Sequence, residues 1–273
     1  MLPLEDFLTD QALLLLEQKE GIYQCMEADF RDWLTGFLFR FEEVRRSEYP
    51  DFFANTQISP NLPFGYDTLE WKFRQQSLKI MKNELKGLAH ARILEVGSWN
   101  GWLTHHLAAW GHEVLATDYF LDEQDGLQSR KHYPETWTPL QMDLSKPTIF
   151  KPAVFDVIVV NHALQFMPDP LPYVRQLKAL LKPGAKMVLL GMSLYKSPDK
   201  KAHAVAQSRQ HYKDKYAFDM RIHPSKNYLD FKDKKALEGE GFVFRQYPKM
   251  PLRNLMAKIL KYKPVYCYGV CGN

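Results

Sequence analysis

Residues 93–107 read ILEVGSWNGWLTHHL, and the rest of the chain is best read outward from them. An apolar run over residues 91–96 leads into a turn containing Gly97 and Gly101, followed by Leu103, Leu107 and Trp110 at helical spacing. The pattern predicts a strand, a glycine turn and a helix. Glycine lets backbone approach a ligand closely, and the first turn of a helix presents N–H groups that the helix itself does not satisfy. The turn therefore makes an anion- or cofactor-accepting edge.

Downstream, polar groups recur at strand ends. Gly111 ends the helix, residues 112–117 (HEVLAT) alternate as a second strand, and Asp118 follows at once, 23 residues after Glu95. An acid at that spacing accepts both hydroxyls of a ribose, so an adenosine-type cofactor is expected, with Tyr119 beside the adenine face. Residues 138–142 predict a third strand ending at Asp143-Leu144. The fourth, residues 155–161 (FDVIVVN), is nearly all apolar, as for a strand buried on both faces. It exits through His162-Ala163-Leu164 to Pro168-Asp169-Pro170, where Asp169 caps a helix with Pro170 at its first position.

That helix, with Leu171, Val174, Leu177 and Leu181 as its apolar stripe, stops at Lys182-Pro183-Gly184, and residues 185–191 (AKMVLLG) predict a fifth strand. Residues 192–227 have no clean period and are rich in base: Lys196, Lys200, Lys201, His203, Arg209, His211, Lys213, Lys215, Arg221, His223 and Lys226. A short helix from about Asp230, a strand after Gly241 and a last strand over residues 265–270 complete the chain. At the other end, residues 10–47 predict helix interrupted near Gly21, with Ile22, Met26, Phe30, Trp33, Phe37, Phe41 and Val44 as a stripe. Residues 51–66 predict an ordered loop. Asp67-Thr68-Leu69-Glu70 predicts a capping box opening a helix to about residue 88 that carries Trp71, Lys72 and Arg74.

These features together resemble class I S-adenosylmethionine (SAM)-dependent methyltransferases over roughly residues 67–273. The first motif of that family, E/D-x-G-x-G-x-G, is matched by Glu95, Gly97 and Gly101, with Trp99 in place of the middle glycine. The Ala-Leu to Pro-Asp exit and the Lys-Pro-Gly approach to the fifth strand match as well. The resemblance implies an α/β, Rossmann-like, seven-stranded mixed sheet flanked by helices. It would span residues 89–273, with a basic lid at about 192–227 and residues 1–88 as an N-terminal helical cap. It implies SAM as cofactor and S-adenosylhomocysteine as product. The implied contacts are Glu95, Gly97, Ser98, Trp99, Asn100, Gly101, Asp118, Tyr119, Asp143, Leu144 and Asn161, with Arg74 on the methionine carboxylate and His162 as base or substrate contact. A small-molecule acceptor is expected. NAD binding, RNA methylation and a non-catalytic SAM-fold binding protein are the competing readings; the fourth-strand exit has neither the Asn/Asp-Pro-Pro-Tyr nor the Pro-Cys motif of nucleic-acid enzymes.

Composition narrows the setting. The chain has 273 residues, 45% of them hydrophobic, and a formal charge of +4, which suits a globular core. Residues 186–273 hold 18 Lys and Arg against 7 Asp and Glu, whereas residues 1–185 hold 18 against 25. Basic surface is thus concentrated in the C-terminal third, which suits an acceptor carrying an anionic group. No apolar run is long enough to span a bilayer and the N-terminus is acidic, so a cytoplasmic protein is expected. Cys25, Cys267 and Cys271 have neither metal-ligand nor disulfide spacing, so no metal is expected and all three predict buried thiols.

Overall fold

Ten strands form one sheet in the computed structural model, which describes residues 2–50, 69–248, 251–260 and 262–272. The chain begins with α1 (Asp10–Leu13), a hairpin of β1 (Leu16–Lys19) and β2 (Ile22–Cys25), then α2 (Ala28–Glu48) and α3 (Leu69–Glu84). Strands and helices then alternate through β3 (Arg92–Val96), α4 (Trp102–Ala109), β4 (Glu113–Asp118), β5 (Thr138–Met142), β6 (Phe155–Asn161), α5 (Pro170–Lys178) and β7 (Leu181–Tyr195). The remainder is α6 (Asp199–Tyr216), β8 (Leu229–Asp230), α7 (Phe231–Gly239), β9 (Val243–Gln246), α8 (Pro251–Ile259) and β10 (Pro264–Gly272).

The sheet order is β1-β2-β5-β4-β3-β6-β7-β10-β9, with β8 paired to β7. Strands β2 to β7 run parallel along this path, and β1, β10 and β9 are antiparallel to their neighbours. Chain order reverses at β3, which has β4 on one side and β6 on the other. An open α/β sheet binds ligands at such a reversal, beyond the carboxyl ends of its strands.

The expected seven strands are all present as β3 to β7, β9 and β10, but the sheet has ten. Part of the difference lies in residues 16–25, expected as helix and found as a hairpin. Glu20 and Gly21 both have positive φ (51° and 77°), as a tight two-residue turn between antiparallel strands requires. Strand β2 then pairs with β5, Tyr23 opposite Leu140. The N-terminal segment is therefore helical only in part. The Lys-Pro-Gly turn is also modified. Residues 182–185 form a bulge inside one long β7, where the register with β6 passes from Phe155↔Leu181 to Val157↔Lys186, and Gly184 takes φ +75°. The capping box at residues 67–70 and the loop at residues 51–66 lie wholly or partly outside the described residues.

Alternation along the central strands divides the core in two, as a pleated strand requires. Leu94, Val96, Ile158, Val160, Met187 and Leu189 face one layer, which includes Phe7, Leu34 and Phe37. Ile93, Val157, Val159, Val188 and Leu190 face the other, with Trp71, Trp102 and Leu107. Val157, Ile158 and Val159 have no exposed surface, so the edge above them has a rigid base. All three cysteines are free and buried.

Candidate active site

The glycine turn connects β3 to α4 under tight steric limits. Gly97 has φ +78°, and a Cβ there would stand 2.6 Å from the Ala163 Cβ and 3.0 Å from the Asn161 carbonyl oxygen. Only glycine lets the turn lie this close to the β6 exit. Trp99, at the position of the family's middle glycine, itself adopts φ +52°. Its backbone N–H donates to Asp118 Oδ2 at 2.7 Å, its indole N–H donates to Asp125, and the Arg74 guanidinium lies 4.1 Å from its ring centroid. Asp125 also pairs with Arg45 of α2. The departure from the motif thus ties the turn to α2 and α3.

Asp118 ends β4 with its carboxylate buried. Besides the Trp99 N–H it accepts the Tyr119 N–H at 2.7 Å and the Phe120 N–H at 3.3 Å. Burial pushes its pKa up while these three amides oppose the shift. Asp143, past the end of β5, accepts from the Ser145 N–H and hydroxyl (3.0 and 2.7 Å) and from the Tyr119 hydroxyl (3.3 Å), and lies 2.8 Å from His223 Nε2. Burial raises its pKa, but the His223 and Ser145 hydrogen bonds outweigh it and hold the carboxyl below the ordinary value. The imidazole of His223 also stacks on Phe30 of α2, 5.8 Å between centroids at 4°.

Glu95 lies beneath the turn with no exposed surface. Its carboxyl accepts from Thr104 Oγ1 at 2.7 Å and from Asn161 Nδ2 at 2.9 Å; burial raises its pKa to about 7 despite both bonds. Next to Asn161, His162 is half-buried with φ +55°. Its ring lies against Gly191, where a Cβ would come 2.2 Å from Nδ1. The Gly191 N–H donates to the Tyr247 hydroxyl at 2.8 Å, and that hydroxyl is 2.9 Å from Ser77 Oγ. His162 Nε2 has no hydrogen-bond partner. Burial and then the Arg74 charge lower its pKa to about 3, so the imidazole is neutral at physiological pH.

A cavity of about 380 Å³ opens over this edge. Of the residues read from the sequence, Arg74, Gly97, Trp99, Asp118, Tyr119, Leu144, Asn161 and His162 line it. Glu95, Ser98, Asn100, Gly101 and Asp143 are not on its wall: they lie behind the turn, or, for Asp143, beside His223. Gly101 has φ +71° and abuts the Trp137 ring, and the Asn100 carbonyl accepts from Ser129 Oγ, so both hold the turn in shape. The sequence reading did not single out Phe120, Phe166, Met167, Met220 and Ile222 on the wall, and it placed Arg221 and His223 there only as part of the basic lid.

Among the described residues, no group of three or more His, Cys, Asp or Glu is arranged to hold a metal ion, and no helix is long and apolar enough to cross a membrane. Residues 69–226 match a family model described as a methyltransferase domain. The ubiquinone biosynthesis O-methyltransferase of Xanthomonas euvesicatoria pv. vesicatoria is 31% identical over 142 residues, covering 46% of this chain and 57% of that protein. The enzyme of the same name from Idiomarina loihiensis is 30% identical over 119 residues, 42% and 48% of the two chains. The chain thus spans about half the length of these relatives. Among solved structures, phosphoethanolamine N-methyltransferase 2 of Haemonchus contortus, in complex with phosphomonomethylethanolamine and S-adenosylhomocysteine, superposes with a TM-score of 0.53 at 15% identity. That match covers 87% of this chain and 60% of that one, and it speaks to the fold alone. With a family model matched over more than half its residues, its glycine turn at the β3 end and its strand order reversing there, the chain belongs to the class I SAM-dependent methyltransferases.

Proposed function

We propose that the protein transfers a methyl group from SAM to an oxygen of a small-molecule acceptor. The observation that carries this reading is the convergence of the glycine turn with the ends of β4 and β6 on one cavity. Its volume of about 380 Å³ falls within the range of cofactor sites. The chain fits the cofactor: Gly97, packed too closely on the β6 exit to carry a side chain, leaves bare backbone on the cavity wall, and Asp118 presents a buried carboxylate where ribose hydroxyls would lie. Relatives named as O-methyltransferases support an oxygen acceptor.

When bound, the cofactor would supply a sulfonium-activated methyl group, its C–S bond breaking as the C–O bond forms, with S-adenosylhomocysteine as the leaving group and the acceptor proton passing to water. The residues of this chain provide alignment and environment. In this reading Asp118 holds the ribose, the turn lies against the methionine portion through Gly97 and Trp99, and Arg74, stacked on Trp99, faces the methionine carboxylate. Tyr119, Leu144 and Phe120 flank the adenine. Asn161 and His162 stand where acceptor and methyl meet, and neutral His162 offers a nitrogen with no other partner. The helical part of residues 1–88 acts as cap and residues 196–227 as lid, the expected lid being shortened because β7 continues to Tyr195, in a cytoplasmic protein.

Calorimetric titration tests the proposal. The parent binds SAM, and Asp118→Ala, its fold checked by circular dichroism, binds about 1–3 kcal/mol more weakly, as for a lost charged hydrogen bond. A parent that binds no SAM, or a variant that binds it unchanged, refutes the assignment.

A further inference from the structure

A second cavity of about 520 Å³ adjoins the first, sharing Gln165, Phe166, Met220, Arg221 and Asn227 with its wall. Gly191, which supports the His162 ring, also lines it. Its chemistry differs from that of the first cavity. Tyr195, Tyr212 and Tyr228 supply ring surface, and Lys201, Arg209 and Arg221 supply charge. The Tyr195 and Tyr228 rings meet edge to face, 6.5 Å apart at 84°.

The charges do not balance. Asp219 is the one carboxylate on this wall among the described residues, and it already serves three cations. Arg209 donates to it at 2.8 Å through Nε and approaches to 2.7 Å through Nη2; Arg221 donates twice at 3.1 Å; Lys213 Nζ stands at 3.9 Å. Burial raises the Asp219 pKa, but the two guanidiniums bring it below the ordinary value, so the carboxylate stays ionised with a single charge to offer. Lys201 has no carboxylate within ion-pair distance among the described residues; its ammonium lies 5.9 Å from the Tyr195 ring centroid. Burial raises the pKa of the Tyr195 and Tyr212 phenols, so neither supplies a compensating anion near neutral pH. Among the described residues the wall carries three cations against one anion. Partly desolvated surplus charge of this kind favours an anionic ligand.

We propose that this second cavity is the acceptor site and that it takes a ring compound bearing a carboxylate or phosphate, the ring among the tyrosines and the anion on Lys201 and the Arg209–Arg221 pair. The proposal rests on the methyltransferase reading, because the shared wall is the path from cofactor to acceptor. It goes further by assigning a ligand class to the second cavity, whose Lys201 and Arg209 lie outside the cofactor cavity while Arg221 lines both.

The test uses ligand-observed NMR on the full chain with 4-hydroxybenzoate and phenyl phosphate, each against a neutral counterpart, methyl 4-hydroxybenzoate and phenol, with and without S-adenosylhomocysteine. At least one anion is expected to bind ten times or more tightly than its neutral counterpart. In Lys201→Gln/Arg209→Gln that advantage falls at least tenfold, while S-adenosylhomocysteine affinity, measured by calorimetry, is unchanged. Which anion binds better separates carboxylate from phosphate. Equal binding of anions and neutral compounds by the parent, or the same anion preference in the double variant, overturns the proposal. If the parent fails to bind S-adenosylhomocysteine, the methyltransferase reading falls, while the anion preference measured without it still decides the ligand class of the cavity.

Discussion

Replacing Gly97 by alanine tests how closely the cofactor turn is packed. Two costs are superimposed. Gly97 has φ +78°, and an L-residue in this left-handed region costs about 1–2 kcal/mol. The new methyl would also sit 2.6 Å from the Ala163 Cβ and 3.0 Å from the Asn161 carbonyl oxygen, neither of them the end of a flexible side chain; forced overpacking of that kind costs about 1–3 kcal/mol. Gly184 separates the two, because it has φ +75° with nothing within 4 Å of its would-be Cβ. Gly184→Ala should therefore lose only the conformational part, and Gly97→Ala about 1–3 kcal/mol more. Reduced unfolded-state entropy favours both variants equally and cancels in the comparison. Urea unfolding followed by tryptophan fluorescence, with slopes checked for constancy, gives the two stabilities side by side. Equal midpoints for the two variants would refute the close packing of the turn on the β6 exit and, with it, the steric reason for glycine there.

Other consequences follow from the buried polar groups. Raising the Glu95 pKa from 4.5 to about 7 means that the folded state holds this proton more tightly than the unfolded state, so its contribution to stability is greatest below about pH 4.5 and declines as pH rises through 7. The decline totals on the order of 3 kcal/mol, and Glu95→Gln should flatten the stability profile between pH 5 and 8; an unchanged profile would contradict it. For His162, with its pKa near 3, the imidazole Cε1 proton should show no titration between pH 5 and 8 by NMR, and a midpoint near 6.5 would rule out the neutral ring. Trp99→Phe keeps a ring under the Arg74 guanidinium but removes the N–H donated to Asp125. It should cost about 1 kcal/mol in thermal unfolding, and a variant as stable as the parent would show that this hydrogen bond contributes nothing net.

The parts of this fold that were legible in the sequence are those in which burial imposes a pattern. Strand β6 reads as FDVIVVN because both of its faces are covered, and the spacing from Glu95 to Asp118 survives because a strand, a helix and a strand of fixed length lie between them. Helix α6 was invisible for the opposite reason. None of its side chains is buried, so no face of it selects apolar residues and no period appears. Strand β1 was misread because Glu17, Gln18 and Lys19 are exposed and favour helix locally; pairing with β2, itself held by β5, decides their conformation. Within the site, Asp118 and Asn161 could be found from position alone. The partnership of Asp143 with His223 could not, since 80 residues separate the two and only the folded loop after α6 brings them together.

The hairpin of β1 and β2 also sets an order of events. Gln24 of β2 meets Gln141 of β5 across 117 residues of sequence, so during synthesis residues 16–25 exist for a long interval before the strand they join. A lone two-stranded hairpin is marginal in water, and loop closure over such a distance must precede any gain from the pairing. Until it occurs, β5 has an open edge, with unpaired N–H and C=O groups able to recruit another chain. Strands made early are thus joined late. On this side of the sheet β3, β4 and β5 can join in the order they are made, and the β5 edge stays exposed to wrong partners while the earlier hairpin is waiting to dock.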